Sequence, residues 1–355
     1  VTAGTGRAVV PGVAGDPVAG GLVALSATVP PEAAVVLATV RAGATRVDCK
    51  GRTGYGGGAP VDAETPFEIG SLTKTFTALL LAELAQRGVV HPHEPVDAFL
   101  PPGCRPRVAG GAPITLLHLA THTSGLPGLP PGLVREALPV WFSNPYARFE
   151  DADLLRAAGR TRVREVPGSR VRYSNFGVAL LGRLLSGRVG TRYAELVAGQ
   201  VCVPLGLTGT GCAAAPRGAV GHRYGRALPP WRMPGLPGAG ALRSTGRDLA
   251  RYLAAHLSAA GGAGPRGPLA GALRDVARPR LVRGPGGDRL ALVWNVRETR
   301  AGTLCFHSGA TRGFTAFIGF APERGVAVAA LTNTAPRYDG GFVQCAYGLL
   351  GSLAG

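Results

Sequence analysis

Lysine is almost missing from this chain: of 38 Lys and Arg residues in 355, only Lys50 and Lys74 are lysine. Aromatic residues are also scarce, at 6%, and no C-x-x-C occurs among the six cysteines. No uninterrupted apolar run approaches a membrane span. Each shortage excludes something. The formal charge of +17 would suit a nucleic-acid binder, but that reading needs clustered basic residues beside aromatic platforms or on a recognition helix. These arginines are scattered. They read as a basic, solvated surface that can attract an anionic substrate. Cys49, Cys104, Cys202, Cys212, Cys305 and Cys345 are widely dispersed, which suits buried or incidental thiols better than a disulfide framework or a zinc site. Residues 1–31 lack a basic leader, and their apolar stretch is broken by Asp16, Pro17, Pro30 and Pro31. With no secretory signal visible, the chain reads as cytoplasmic. Neither nucleic acid nor membrane is expected as a partner, and oligomeric state is not legible.

What is present suits a globular enzyme. The hydrophobic fraction is 46%, and the 55 glycines and 30 prolines lie mostly between periodic apolar segments. They concentrate at 101–113, 125–132, 227–240 and 261–268, which read as loops. "AAVVLATVRAGATRVDCKGRTGYG" (33–56) reads as a hairpin running into a glycine-rich loop. The stretch 20–29 fits a strand or a helix. From Thr73, "TKTFTALLLAELAQRG" has the density of a buried helix, with Gly88 as its stop. Helices are predicted at 114–121, 151–159, 176–187, 191–200 and 244–259. Strands follow at 289–297, 302–308, 313–320 and 325–332, with a last helix at 341–353. Strands at both ends imply that the ends meet in one sheet. The expected organisation is an α/β domain of residues 1–89 and 240–355, with a mainly helical subdomain, 90–239, inserted between them.

One of the two lysines stands three residues after a serine, in "GSLTK" (70–74). Residues three apart share a helix face, so Lys74 can reach the Ser71 hydroxyl. A serine needs a base to become a nucleophile. Lysine can be that base if its pKa is lowered, whereas arginine cannot. Read alone, S-x-x-K also fits a helix cap followed by a solvated lysine.

Two downstream segments could supply partners. In "VPGSRVRYSNFG" (166–177), Tyr173 and Asn175 flank Ser174 before a helix and can point the same way. Tyr173 could relay protons, and Asn175 could donate to a substrate carbonyl and accept from Lys74. The plainer alternative makes Tyr173 a core residue and Asn175 a helix cap. In "LCFHSGATRGF" (304–314), a strand ends in small residues. Gly309 permits close backbone approach by a substrate, and His307 and Ser308 line its rim.

In this order, the three segments resemble the S-x-x-K, Y-x-N and H/K-T/S-G elements of the serine β-lactamase and penicillin-binding-protein superfamily. The similarity is greatest to its class C branch, which also holds D,D-carboxypeptidases, D-aminopeptidases, esterases and transacylases. "VDAETPFEIGSLTKTFTALLLAEL" (61–84), "LLHLATHTSGLP" (116–127), "VCVPLGLTGT" (201–210) and "GAGALRSTGRDLARYL" (238–253) extend the likeness. Class A enzymes carry S-D-N at the second element, where this chain has Tyr173–Ser174–Asn175. The resemblance implies an antiparallel sheet flanked by helices. It also implies Ser71 as the acylated nucleophile, Lys74 as its base partner, Tyr173 as general base and acid, and Asn175 as a positioning group for Lys74 and the substrate amide. The strand His307–Ser308–Gly309 would lie beside the acyl group. The N–H groups of Ser71 and Ala310 would form the oxyanion hole. The family's β-lactam specialists carry lysine where this chain has His307. Arg312 is near enough in sequence to replace that charge, or is a solvent-facing loop residue.

Other patterns carry less. His118 and His122 are four apart, but Leu119 stands where H-E-x-x-H needs glutamate. The resemblance makes that segment structural. His91 and His93 read as loop residues and Cys305 as core. "GYGGG" (54–58) lacks nucleotide-binding spacing. No metal or cofactor is expected. Joint retention of Ser71, Lys74, Tyr173 and Asn175 favours an enzyme over a catalytically silent binding protein of the same fold. The expected reaction is that of an esterase or transacylase acting on a small-molecule ester or amide, as in natural-product synthesis. The alternative is β-lactamase, D,D-carboxypeptidase or D-aminopeptidase activity. An amine or alcohol acceptor, rather than water, would need a pocket such as one around Trp141, Phe142 and Trp231.

Overall fold

The computed structural model describes residues 16–140, 142–262, 264, 266–283 and 287–355. Its centre is an antiparallel sheet of eight strands: β1 (Val35–Arg41), β2 (Ala44–Lys50), β3 (Leu281–Arg283), β4 (Asp288–Leu290), β5 (Asn295–Thr299), β6 (Gly302–Ala310), β7 (Thr315–Ala321) and β8 (Val326–Thr332). Their spatial order is β3-β4-β5-β6-β7-β8-β1-β2. The N-terminal hairpin therefore joins the C-terminal meander through β1 and β8, in register from Val35–Thr332 to Arg41–Val326. The two chain ends do meet in one sheet.

Strands β7 and β8 are buried at every position, because helices cover both faces. Alternate side chains divide accordingly. Val35, Leu37, Phe317, Val328 and Ala330 pack with Leu25 of α1 (Pro17–Ala27) and with Phe342, Ala346 and Leu350 of the last helix. Val36, Ala38, Ile318, Phe320, Ala329 and Leu331 face the other way, into the main core.

Helix α2 (Thr73–Gln86) is the axis of that core. It is buried continuously from Thr73 to Leu84, as a helix enclosed on all sides must be. Its threonine hydroxyls are bonded inside the core: Thr75 donates to the Leu72 carbonyl of the preceding turn at 2.8 Å, and Thr77 donates across to the Gly238 carbonyl at 2.7 Å. Around it lie α3 (Leu116–Ala120), α4 (Asn175–Val189), α5 (Pro237–Gly240), α6 (Gly246–Ala260) and α7 (Pro268–Val276), and α8 (Gly341–Ala354) closes the far face of the sheet.

Three local readings change. The ambiguous stretch 20–29 lies largely in α1, which Asp16 caps by accepting from Val18 N–H at 3.0 Å. The predicted strand 289–297 is two strands, interrupted where Val293 turns left-handed at φ 56° and buries Trp294. The predicted helix 191–200 runs only over Tyr193–Val197 before widening into a π-turn. The six cysteines are free thiols, and Cys305 is buried.

Candidate active site

Ser71 sits in a 3-10 turn, Gly70–Leu72, that leads directly into α2. No side chain caps this start, so Ser71 is not the capping residue. Gly70 adopts φ 49°, and a β-carbon there would stand 2.3 Å from the Ala310 carbonyl oxygen. On the opposite side of the contact, a β-carbon on Gly309 would stand 2.1 Å from the Ile69 carbonyl oxygen. Gly309 was expected to admit a substrate; the structure shows it admitting the serine turn itself. Glycine at both positions lets two backbones touch where side chains would hold them apart.

A buried ion pair anchors the same junction. The Glu68 carboxylate meets Arg243 at 3.2 Å, and it accepts from Trp231 N–H at 2.6 Å and the Thr311 hydroxyl at 2.8 Å. Glu68 precedes the turn and Thr311 follows β6, so one carboxylate ties both halves together.

Lys74 is fully buried on the first turn of α2, with its ammonium 2.9 Å from Ser71 Oγ and 2.7 Å from the Ala239 carbonyl of α5. Burial lowers its pKa to about 7, because a desolvated ammonium sheds its proton more easily. Tyr173 donates its hydroxyl to Ser71 Oγ at 2.7 Å. Desolvation raises Tyr173 to about 12, so it holds its proton while Lys74 readily loses one. The Tyr173 ring lies 5.0 Å from the Lys74 nitrogen.

Asn175 opens α4, but Ser174 is the cap, accepting from Gly177 N–H at 2.8 Å. The Asn175 side chain bonds Tyr146, whereas Lys74 bonds Ser71 and Ala239. Orientation of Lys74 therefore comes from the Ala239 carbonyl, in place of the expected Asn175.

Strand β6 offers the other wall. Its pairing with β5 ends at Phe306–Asn295, while pairing with β7 continues to Ala310. Thr311 N–H bonds Phe314, on the β7 side. Main-chain groups alternate between edges of an antiparallel strand, so those of Ala310 and Ser308 face the edge that β5 leaves uncovered.

Beside this edge lies a cavity of about 500 Å³ whose lining includes Ser71, Tyr173, His307, Ser308, Gly309, Ala310, His122, Arg283 and Asn295. No carboxylate lines it among the described residues. His307 is buried and faces the cavity. Burial, reinforced by Lys74, lowers it to about 3. Arg312 is half-buried near Tyr146 and Arg223, away from this lining. The guanidinium on the cavity belongs to Arg283, which donates to Asn295 at 2.9 Å. Trp231 packs edge-on to Tyr146 at 5.3 Å, also outside the lining. Phe142 is exposed, and Trp141 lies outside the described residues.

Sequence reasoning missed Ala239, Tyr146, Arg283 and Asn295, and set His122 aside as structural. Nothing in their spacing points to the site: Arg283, Asn295 and His122 reach the cavity lining through tertiary packing, and Ala239 and Tyr146 meet Lys74 and Asn175 the same way. His118, its neighbour in the set-aside pair, does serve the fold: its Nδ1 accepts from Thr115 N–H at the start of α3.

A serine held between a buried lysine and a tyrosine, beside an open strand edge, has the form of a serine acyl-transfer centre. The chain belongs to the beta-lactamase family, whose model matches residues 26–344. It is 32% identical over 214 residues to the D-alanyl-D-alanine-carboxypeptidase/endopeptidase AmpH of Escherichia coli strain K12, covering 59% of this chain and 53% of that protein. A beta-lactamase of Yersinia enterocolitica is 28% identical over 344 residues, 83% of this chain and 80% of its own. Esterase EstB of Burkholderia gladioli is 32% identical over 181 residues, 48% and 45% of the two chains. The matched region spans about half the length of AmpH and of EstB.

Proposed function

We propose that this chain is a serine hydrolase or acyltransferase that forms an acyl-enzyme at Ser71 from a small-molecule ester or amide. The observation carrying this reading is the placement of Ser71 Oγ 2.9 Å from Lys74 and 2.7 Å from Tyr173, with Lys74 lowered to about 7. In the reading, neutral Lys74 takes the Ser71 proton as Oγ attacks the carbonyl. The Ser71 and Ala310 N–H groups receive the developing oxyanion; one such donor is worth about 10²–10³ in rate. Tyr173 gives its proton to the leaving group and recovers one from Lys74, which resets the base. Asn175 and its partner Tyr146 would border the substrate amide.

Within that reaction, an esterase or transacylase fits the neutral His307 better than a role centred on a carboxylate-bearing ring. Water, a small amine or a small alcohol would resolve the acyl-enzyme, and transfer to an amine or alcohol would serve natural-product synthesis. A second reading, β-lactam or D,D-peptide hydrolysis, is favoured by Arg283 on the cavity wall and by the names of the relatives. Incubation with a fluorophosphonate followed by peptide mapping tests the core of the proposal. The adduct should fall on Ser71; an active enzyme labelled only elsewhere would refute it. Offering esters and β-lactams with and without small amines or alcohols, and identifying acyl products by mass, separates the two readings. Rapid ring opening without acceptor dependence would favour the second.

A further inference from the structure

Lys74 bonds the Ala239 carbonyl, and that carbonyl belongs to a helix of only four residues, α5. So short a helix has little internal hydrogen bonding to hold it, and its position is set from outside. Helix α2 supplies ties on both sides of Ala239. One residue before it, the Gly238 carbonyl accepts from the Thr77 hydroxyl at 2.7 Å. Three residues after it, Leu242 N–H donates to the Thr73 hydroxyl oxygen at 3.1 Å. Thr73 and Thr77 are four apart and share a helix face, with Lys74 beside them. One stretch of α2 therefore carries both the base and the clamp on the acceptor of that base.

The Thr77 hydroxyl has one proton and two carbonyls in reach, Gly238 at 2.7 Å and Thr73 at 3.3 Å. Its oxygen also lies 2.7 Å from the Tyr193 hydroxyl. The shorter carbonyl contact takes the proton, so Tyr193 is the donor to Thr77. A chain results: Tyr193 donates to Thr77, Thr77 to Gly238, and Lys74 to the neighbouring Ala239 carbonyl. Thr77 is fully buried and Tyr193 only 5% exposed, so bulk water does not replace either hydroxyl. Backbone contact closes the other side. A β-carbon on Gly182 of α4 would stand 3.2 Å from the Gly238 α-carbon.

The titratable groups facing the Lys74 ammonium are Tyr173, with its ring centre 5.0 Å away, and the buried imidazoles of His122 and His307, each lowered in part by that charge. From α5, the group that meets it is the Ala239 carbonyl. We propose that Thr77 and Tyr193 are positioning residues for the base: through α5 they hold the Ala239 carbonyl against Lys74, which fixes the aim of its nitrogen at Ser71 and the ease with which it gives up a proton. The inference rests on the acyl-enzyme reading and adds two residues outside the cavity lining. A carbonyl that accepts from an ammonium stabilises the charged form. Without the clamp that support weakens, so the base titrates at lower pH. Its nitrogen is also aimed less well, so the neutral form works more slowly.

The test follows kcat/KM on an activated ester from about pH 5 to 9, with Ser71 acylation checked by mass and stability by urea unfolding. Thr77→Val keeps the side-chain shape and removes the hydroxyl. Its midpoint should move down by at least about half a pH unit, and its plateau should fall about tenfold or more. Thr77→Ser should restore both. Tyr193→Phe should shift the midpoint the same way by less, since Thr77 still reaches Gly238, and it carries the test if the valine variant does not fold. Thr161→Val removes a comparable buried hydroxyl, bonded to the Ala157 carbonyl at 2.7 Å beside the end of the helix Asp151–Arg160. It should leave the midpoint in place whatever it costs in stability. A parent midpoint retained in both Thr77→Val and Tyr193→Phe would reduce the clamp to a structural contact and overturn the proposal. A midpoint that rises would also overturn it, because water would then have reached Lys74. Either result leaves acylation at Ser71 standing. A parent enzyme that is not acylated at Ser71 would instead overturn the acyl-enzyme reading and this inference with it.

Discussion

A β-carbon on Gly70 would stand 2.3 Å from the carbonyl oxygen and 2.8 Å from the nitrogen of Ala310. The serine turn and the end of β6 are thus in backbone contact. Gly70→Ala adds both that collision and a left-handed strain, because φ is 49°. The turn must move, and a displacement of about 1 Å can cost about 10²-fold in rate. The variant should lose at least that much kcat/KM on an activated ester while keeping its circular dichroism. Parent-level turnover would mean that the turn and strand tolerate separation.

Lys74 should impose its titration on acylation. Its folded pKa is lowered to about 7 by burial. Below that pH it is an ammonium and cannot accept the Ser71 proton, so kcat/KM should rise as pH increases through about 7 and level off above. Lys74→Arg keeps a charge that never dissociates, and should lower the plateau by about 10²–10⁴-fold. A flat profile from about pH 5 to 9 in the parent enzyme would remove Lys74 as the base.

Tyr173→Phe should distinguish leaving groups. Tyr173 holds its proton to about 12, so its role in the proposed cycle is to donate. A p-nitrophenolate departs without protonation, whereas an alkoxide or amide nitrogen does not. The loss should approach about 10²–10⁴-fold for alkyl esters and amides and be much smaller for nitrophenyl esters. Equal losses across the series would assign the hydroxyl to positioning Ser71.

The Glu68–Arg243 pair has both side chains only 9% exposed. Removing one charge from such a pair strands the other, at about 3–5 kcal/mol. Arg243→Met should therefore lose about that much stability in urea, and adding Glu68→Gln should recover part of it, because the stranded carboxylate is gone. If the double variant is as unstable as the sum of the singles, the two residues are not acting as a pair.

Much of this architecture was legible from local pattern. The dense run from Thr73 marked α2, and β-rich runs at both ends marked the sheet. The Ser71–Lys74 contact follows from helical spacing alone. Helix α7 was overlooked among the Gly and Pro of 261–268, although Pro268 opens it and Leu269, Ala272, Leu273 and Val276 form its buried stripe, a readable signal. The break at Val293 had no such signal. Neither did the swap of Ala239 for Asn175 as the Lys74 anchor, since a main-chain carbonyl looks the same in every residue. Arg283 and Asn295 reach the cavity from β3 and β5, and only strand order places them there. His122 was judged by its spacing to His118, whereas its position depends on a left-handed backbone and on Ser174.

The pairing of β1 with β8 sets a condition on when activity can begin. Strand β1 lies between β2 and β8, and Val35 is registered opposite Thr332. As the chain leaves the ribosome, the β1–β2 hairpin must wait for β8 before that edge is filled. Ser71 and Lys74 emerge before Ala310, so until β6 is made the serine would lack the second oxyanion donor proposed for it. Such long-range strand pairing is slow to form and leaves edges exposed meanwhile. A ribosome-stalled chain ending before residue 300 should therefore resist labelling by an activated ester, even with the S-x-x-K segment already outside the tunnel.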